Sequence, residues 1–255
     1  MREERMDEVT HRAAEDNRRA WDSFRQQRDE GLVDIRPRFT REMAEQFWAD
    51  TTDGVSYLTG EQIAELVGDV RGRRLLDMGC GDGDELLQWA RLGAEVVGVD
   101  NSPRQLAAAR HNAEQLGINP QLVRADLLDL PEELLQGEFD IVFTSAVTCW
   151  IGDCLAWFRG VRAALTNGGV FLLNDPHPVR HDYFAEGPFV HRSSEPTGWN
   201  PAGHDITTVI WQHTLATLVT AVGQAGLRIT HLVEHPGDGS IPACPGGFTL
   251  CARRV

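Results

Sequence analysis

The pattern Asp77-x-Gly79-x-Gly81-x-Gly83 is the densest concentration of potential chemistry in this 255-residue chain. An apolar strand stub, Arg74-Leu75-Leu76, leads into Asp77, and a helical pattern (Glu85-Leu86-Leu87-Gln88-Trp89-Ala90) opens directly behind the third glycine. Glycine is needed where a tight strand-to-helix turn must let a ligand lie against the backbone, because a Cβ would block both the dihedrals and the contact. The N-terminus of the following helix offers unpaired N–H groups to an anionic part of that ligand. Dinucleotide-binding turns read G-x-G-x-x-G, with the pyrophosphate on the helix N-terminus. The spacing here differs. A carboxylate at the strand end faces a diphosphate badly but suits a ligand that carries an ammonium group. Asp82 and Asp84 read as helix-start acids that complement the dipole.

S-adenosylmethionine (SAM) carries an α-ammonium, a carboxylate and a sulfonium. The run Asp77–Gly83 resembles the first motif of the class I SAM-dependent methyltransferases, (D/E)-x-G-x-G-x-G, and further positions of that family follow at the ends of expected strands. Glu95-Val96-Val97-Gly98-Val99 ends in Asp100, placed to accept hydrogen bonds from both ribose hydroxyls. Gln121-Leu122-Val123-Arg124 leads to Ala125-Asp126-Leu127, and the resemblance gives Asp126 and Leu127 the adenine. Phe139 to Thr144 is followed by Ser145-Ala146, where the family lines the methionine end of SAM. Cys80 in the turn, Asn101 beside Asp100, and Trp150 as a possible aromatic wall for a sulfonium complete the expected cofactor set. The resemblance is strong over residues 70–175 and weak beyond them. It implies a SAM-dependent methyltransferase of the small-molecule type.

The elements that position these residues follow from the same reading. Strands at 74–78, 95–100, 121–124, 139–144 and 168–174 alternate with helices, which is the signature of an α/β doubly wound, mainly parallel sheet. Leu227–Val233 and Gly247–Ala252 supply two more strands, seven in all. The Gly/Pro-rich link between these two is too short for a parallel crossover, so the last strand should run antiparallel. Residues 70–255 are then the cofactor domain. Residues 1–69 form an N-terminal helical lid: a frayed charged start (1–11), helices near Ala13–Arg28, Arg41–Trp48 and Gly60–Val67, and candidate lid aromatics Trp21, Phe47, Trp48 and Tyr57. Between the fifth strand and a helix at Thr214–Ala225 lies a stretch of poor periodicity, rich in histidine, proline and aromatics. It is read as an irregular substrate cap over 176–212.

Within and beside that cap, His177 is the first candidate general base, with His213 and His204 as further candidates, because an imidazole titrates near neutrality. Trp211 is a second candidate for the aromatic wall, and Trp157 a core residue. Methyl transfer itself demands only an acceptor lone pair aligned with the S–CH3 bond. The acceptor expected is an O or N atom of a small organic molecule.

The formal charge of −14 speaks against nucleic acid or an anionic membrane as partner. All 24 basic residues are arginine, which excludes a catalytic lysine. Five cysteines form no metal-ligand pattern, and their odd number without a signal segment suggests a reducing cytoplasm. Two alternatives remain open at this point: a nucleotide-dependent (NAD-type) oxidoreductase on the same sheet, and a non-catalytic SAM-binding protein.

Overall fold

Strand residues that alternate between two apolar faces make the central sheet a partition between two cores. Leu75, Val96, Ile141, Val170 and Cys251 point into one, while their neighbours Leu76, Val97, Val142, Phe171 and Leu250 point into the other. The computed structural model describes residues 2–32, 65–180, 187–196, 200, 202–236 and 245–255. Its main sheet is built from β1 (Arg74–Met78), β2 (Glu95–Asp100), β3 (Gln121–Arg124), β4 (Phe139–Ser145), β5 (Leu165–Pro176), β8 (Leu227–Pro236) and β9 (Pro245–Arg254), in the order β3-β2-β1-β4-β5-β9-β8. The first five strands are parallel. The last, β9, is antiparallel to both β5 and β8, as the short link requires.

Helix α2 (Asp84–Arg91) covers the first face with Leu86 and Trp89, and α3 (Pro103–Leu116) adds Leu106. Helices α4 (Cys154–Ala164) and α5 (Leu215–Gln224) cover the second with Trp157, Phe158, Val161, Leu218 and Val222. Trp157 stacks on Phe158 with ring centroids 4.8 Å apart, the core role expected of it. Each large apolar side chain so buried contributes about 1.5–3 kcal/mol. Strand order reverses between β1 and β4, so the crevice at their carboxyl ends is the place where such sheets take ligands.

Two expectations are corrected. Helix α1 runs from Arg2 to Asp29, so the charged start is not frayed backbone but the first turns of one long helix. Arginine, glutamate and aspartate are its commonest residues, it has no glycine or proline, and ion pairs at helical spacing support it, among them Arg18–Asp22 at 2.8 Å and Arg25–Asp29 at 2.7 Å. The supposed irregular cap contains an antiparallel hairpin, β6 (Gly187–Ser193) with β7 (Ile206–Gln212). The β-branched run Ile206-Thr207-Thr208-Val209-Ile210 is the strand signal that the prolines and histidines mask. The expected helix at 41–48, Phe47, Trp48 and Tyr57 lie outside the described residues. Of the third expected helix, residues 65–67 are described and are helical. No helix among the described residues is long and apolar enough to cross a membrane.

Candidate functional site

The glycine turn owes its shape to backbone that other residues adopt at a cost. Gly79 has φ +87°, and a Cβ built on it would stand 2.5 Å from Val147 Cγ2. The turn is fastened to β2: the N–H groups of Gly79 and Cys80 donate to the Val99 carbonyl at 2.8 and 2.9 Å. Asp100 completes the fastening. Its Oδ2 accepts from Gly81 N–H at 3.0 Å and its Oδ1 from Ser102 N–H at 2.8 Å. Burial pushes the Asp100 carboxyl up to about 6, against the pull of those two N–H donors.

Around this turn lies a cavity of about 290 Å³ at the carboxyl ends of β1, β2, β3 and β4. Nine of the ten expected cofactor residues line it. Gly79, Cys80 and Gly81 come from the turn, Asp100 and Asn101 from the end of β2, Asp126 and Leu127 from the end of β3, and Ser145 and Trp150 from β4 and the 3₁₀ turn after it. Asp77 does not line it. It is buried at the end of β1, its carboxyl held well above the usual range first by burial and then by the charges of Glu85 and Asp100. Asp126 is oriented by Leu128 N–H, which donates to its Oδ1 at 2.9 Å. Ser145 Oγ and Gln105 Oε1, buried polar atoms of the lining, have no hydrogen-bond partner among the described residues. An orphaned buried polar atom is costly, so both mark positions where a polar ligand atom would be stabilised.

Helix α1 roofs the cavity. Ala14, Arg18, Trp21, Arg25 and Arg28, spaced three and four apart, share the face turned to it. The adjacent stripe Ala13, Asn17, Ala20 and Gln27 is buried. Asn17 mimics a strand neighbour to β7, donating from Nδ2 to the Val209 carbonyl at 2.9 Å and accepting from Val209 N–H at 2.7 Å. Trp211 joins Ala13 and Val209 in a small core there and does not line the cavity. Trp21 meets Trp150 edge-on at 5.3 Å, closing the roof onto the wall. Asp82 is more than a helix-start acid, since Arg25 and Arg28 of α1 reach its Oδ2 at 3.1 and 2.7 Å. Ser102 hydroxyl donates to Asp22 at 2.6 Å on the other flank.

Among the described residues the lining carries five carboxylates (Asp82, Asp84, Glu85, Asp100, Asp126) and three guanidiniums (Arg18, Arg25, Arg28). All three arginines already pair with acids. The balance favours a ligand bearing positive charge. None of the three candidate bases lines the cavity. His177 shares its Nε2 with Glu234 at 2.8 Å, and its Nδ1 accepts from Val179 N–H at 3.1 Å. His213 donates from Nε2 to the Ile151 carbonyl at 2.7 Å, and burial lowers its pKa. His204 sits in the hairpin segment, where its backbone N–H donates to Asn200 at 3.0 Å. The residues that sequence reasoning missed are Asn17, Arg18, Arg25 and Arg28. The three-and-four spacing along α1 was the available signal.

A family model described as a methyltransferase domain matches residues 69–223. The ubiquinone biosynthesis O-methyltransferase of Cereibacter sphaeroides is 37% identical over 125 residues, 46% of this chain and 49% of that protein. An uncharacterised methyltransferase of Synechocystis is 31% identical over 172 residues, 65% of this chain and 72% of that one. The chain thus spans about half the length of the first of these curated relatives. Among solved structures, an S-adenosylmethionine-dependent methyltransferase from Mesorhizobium loti aligns with a TM-score of 0.58 and 29% identity, over 75% of this chain and 95% of that one.

Proposed function

Because the chain belongs to the methyltransferase domain family, we propose that it binds SAM in the cavity beneath α1 and methylates an oxygen or nitrogen of a small organic molecule. One observation carries the reading: the glycine turn, Asp100, Asp126–Leu127 and Ser145, far apart in sequence, converge on one roofed cavity with surplus negative charge. An oxygen acceptor is favoured because the Cereibacter relative is named an O-methyltransferase.

The residues present fit the group. Asp100 lies where a carboxylate would accept from ribose hydroxyls while keeping its two backbone bonds. Asp126 and Leu127 take the adenine. Gln105 Oε1 and Ser145 Oγ offer orphaned polar atoms to the polar edges of the cofactor. The ammonium would be held at the acidic end, where Glu85 lines the wall with Asp77 behind it. Trp21 and Trp150, both in the lining, would hold the sulfonium, since an aromatic face attracts a cation.

When bound, SAM supplies an electrophilic methyl on a sulfonium. The chain's own part is to hold the acceptor in line and to exclude water by closing α1 over the crevice. Residues 1–69 act as the lid, with α1 its described part, and 176–212 as the cap that anchors α1 through Asn17. Proton transfer is not assigned to His177, His204 or His213, since none of them borders the cavity. A nicotinamide dinucleotide fits less well: its pyrophosphate would meet the carboxylates of the turn instead of free N–H groups. A cytoplasmic location goes with this reading.

Calorimetry with S-adenosylhomocysteine (SAH) and, in parallel, NAD tests the cofactor. Binding of NAD but not SAH would reverse the assignment. Transfer of radiolabelled methyl from SAM to a panel of small phenols and amines tests catalysis. SAH binding with no transfer to any acceptor, or to cell extract, would favour the non-catalytic alternative.

A further inference from the structure

We propose that Asp175 is a positioning residue: its carboxylate clamps the backbone of Val147 and Thr148, and so fixes the strained turn that walls the cavity between Gly79 and the Trp150–Trp21 pair. The functional consequence rests on the cofactor reading above; the clamp itself does not.

The turn is unusual backbone. Ala146 has φ +55°, the one left-handed residue other than glycine among the described residues. Such a conformation persists only where the surroundings over-determine it, and it concentrates at functional sites. Two groups from the end of β5 hold it. The Asn174 carbonyl accepts from Ala146 N–H at 3.0 Å. Asp175 Oδ2 accepts from Val147 N–H at 2.8 Å and Thr148 N–H at 3.0 Å. Four residues of this turn, Ala146, Val147, Trp150 and Ile151, line the cavity. Val147 presses on Gly79 and Trp150 meets Trp21 of the roof.

The clamp is a costly device. Asp175 is buried, and no guanidinium or imidazole among the described residues pairs with it. Burial pushes its carboxyl up to about 6, opposed only by the two backbone N–H groups and the Thr148 hydroxyl. Burial, and after it the Asp175 charge, push up the thiol of Cys149; burial, then Asp153, then Asp175 do the same to Cys154. A neutral or apolar residue would be cheaper here if packing alone mattered. The carboxylate rests on a rigid support: β5 is paired on both sides, with Asp175 opposite Phe248 of β9. A rigid strand end can therefore impose the shape of the turn.

Both amides donate to a single oxygen, so Asp175→Asn can keep the clamp through its amide oxygen, whereas Asp175→Leu cannot. Hydrogen–deuterium exchange of a peptide spanning residues 145–151 reads the clamp without any cofactor. Exchange should accelerate at least ~10-fold in the Leu variant and less than ~3-fold in the Asn variant, the scale of losing hydrogen bonds to a charged acceptor. SAH affinity by calorimetry should follow the same order, down ~10-fold or more for Leu and within ~3-fold for Asn. Val222→Ala, a core truncation in α5 away from the cavity, controls for lost stability and should leave both readouts unchanged. If Asp175→Leu does not fold, Asp175→Ser, whose hydroxyl is too short to reach both amides, takes its place with the same thresholds. Unchanged exchange in the Leu or Ser variant, or equal damage from Asn and Leu, would overturn the clamp. Exchange that follows the expected order across the variants, with no SAH binding by any form, would instead overturn the cofactor reading.

Discussion

Replacing Gly79 with alanine puts one methyl group where the structure has no room. Two terms set the cost. A residue with a Cβ held at φ +87° loses about 1–2 kcal/mol to left-handed backbone. The new Cβ would also lie 2.5 Å from Val147 Cγ2, far inside ordinary contact. Val147 is buried and its N–H is held by Asp175, so it cannot retreat cheaply, and overpacking of this kind costs about 1–3 kcal/mol. The sum is centred near ~3 kcal/mol, which in a domain of this size lowers Tm by roughly 6–12 °C. Thermal unfolding followed by circular dichroism measures it. The two terms separate in a double-mutant cycle with Val147→Ala. That substitution alone costs about 2 kcal/mol in lost burial and cavity. In its background the overlap is gone and only the backbone term remains, so Gly79→Ala should cost about 1–2 kcal/mol less than it does alone. A strictly additive double mutant, or a single mutant within ~0.5 kcal/mol of wild type, would refute the reasoning.

Asp100→Ala should weaken SAH binding by about 1.5–3 kcal/mol, the scale for removing a charged hydrogen-bonding partner; equal affinity by calorimetry would take Asp100 out of the site. His177→Ala should leave SAH affinity unchanged and lower stability by about 1–3 kcal/mol, because its partners Glu234 and Val179 N–H lose their bonds. A changed SAH affinity with unchanged stability would return His177 to the site. Asp100 and Asp175 both titrate near 6 in the folded chain, above the ordinary aspartate value of 3.8. Each therefore binds its proton more tightly folded than unfolded. Its stabilising contribution is full below the unfolded pKa and lost as pH rises through about 6. Tm should accordingly rise as pH falls from about 7 to about 5, and Asp175→Asn should flatten the slope; a Tm that is level or falling over that window would contradict both assignments.

Much of the site was written locally. A glycine turn needs its glycines wherever it occurs, and an acid that closes a strand sits at the sheet's carboxyl edge whatever packs around it. Asp100, Asp126, Leu127 and Ser145 were therefore legible as a set, as were the parallel strands and the antiparallel last one. Asp77 belonged to the same pattern, yet only the packing shows that its carboxyl is buried behind the turn instead of lining the cavity. The hairpin β6–β7 was obscured because prolines and histidines flank its β-branched run, and local composition outweighed the strand signal.

The sequence by itself determined the strand-end constellation and the doubly wound sheet, because period-2 burial and turn chemistry act over a few residues. Tertiary structure decided what covers the crevice and which side chains reach it. Arg25 and Arg28 meet Asp82 across more than fifty residues, Asn17 meets Val209 across 192, and Asp175 holds the turn after β4 from the neighbouring strand. His177, His204 and His213, attractive as bases in the linear reading, are directed to other partners by β8, by Asn200 and by the Ile151 carbonyl. An imidazole's chemistry is fixed by its residue type, but its availability depends on contacts between elements distant in sequence, and no local pattern encodes those.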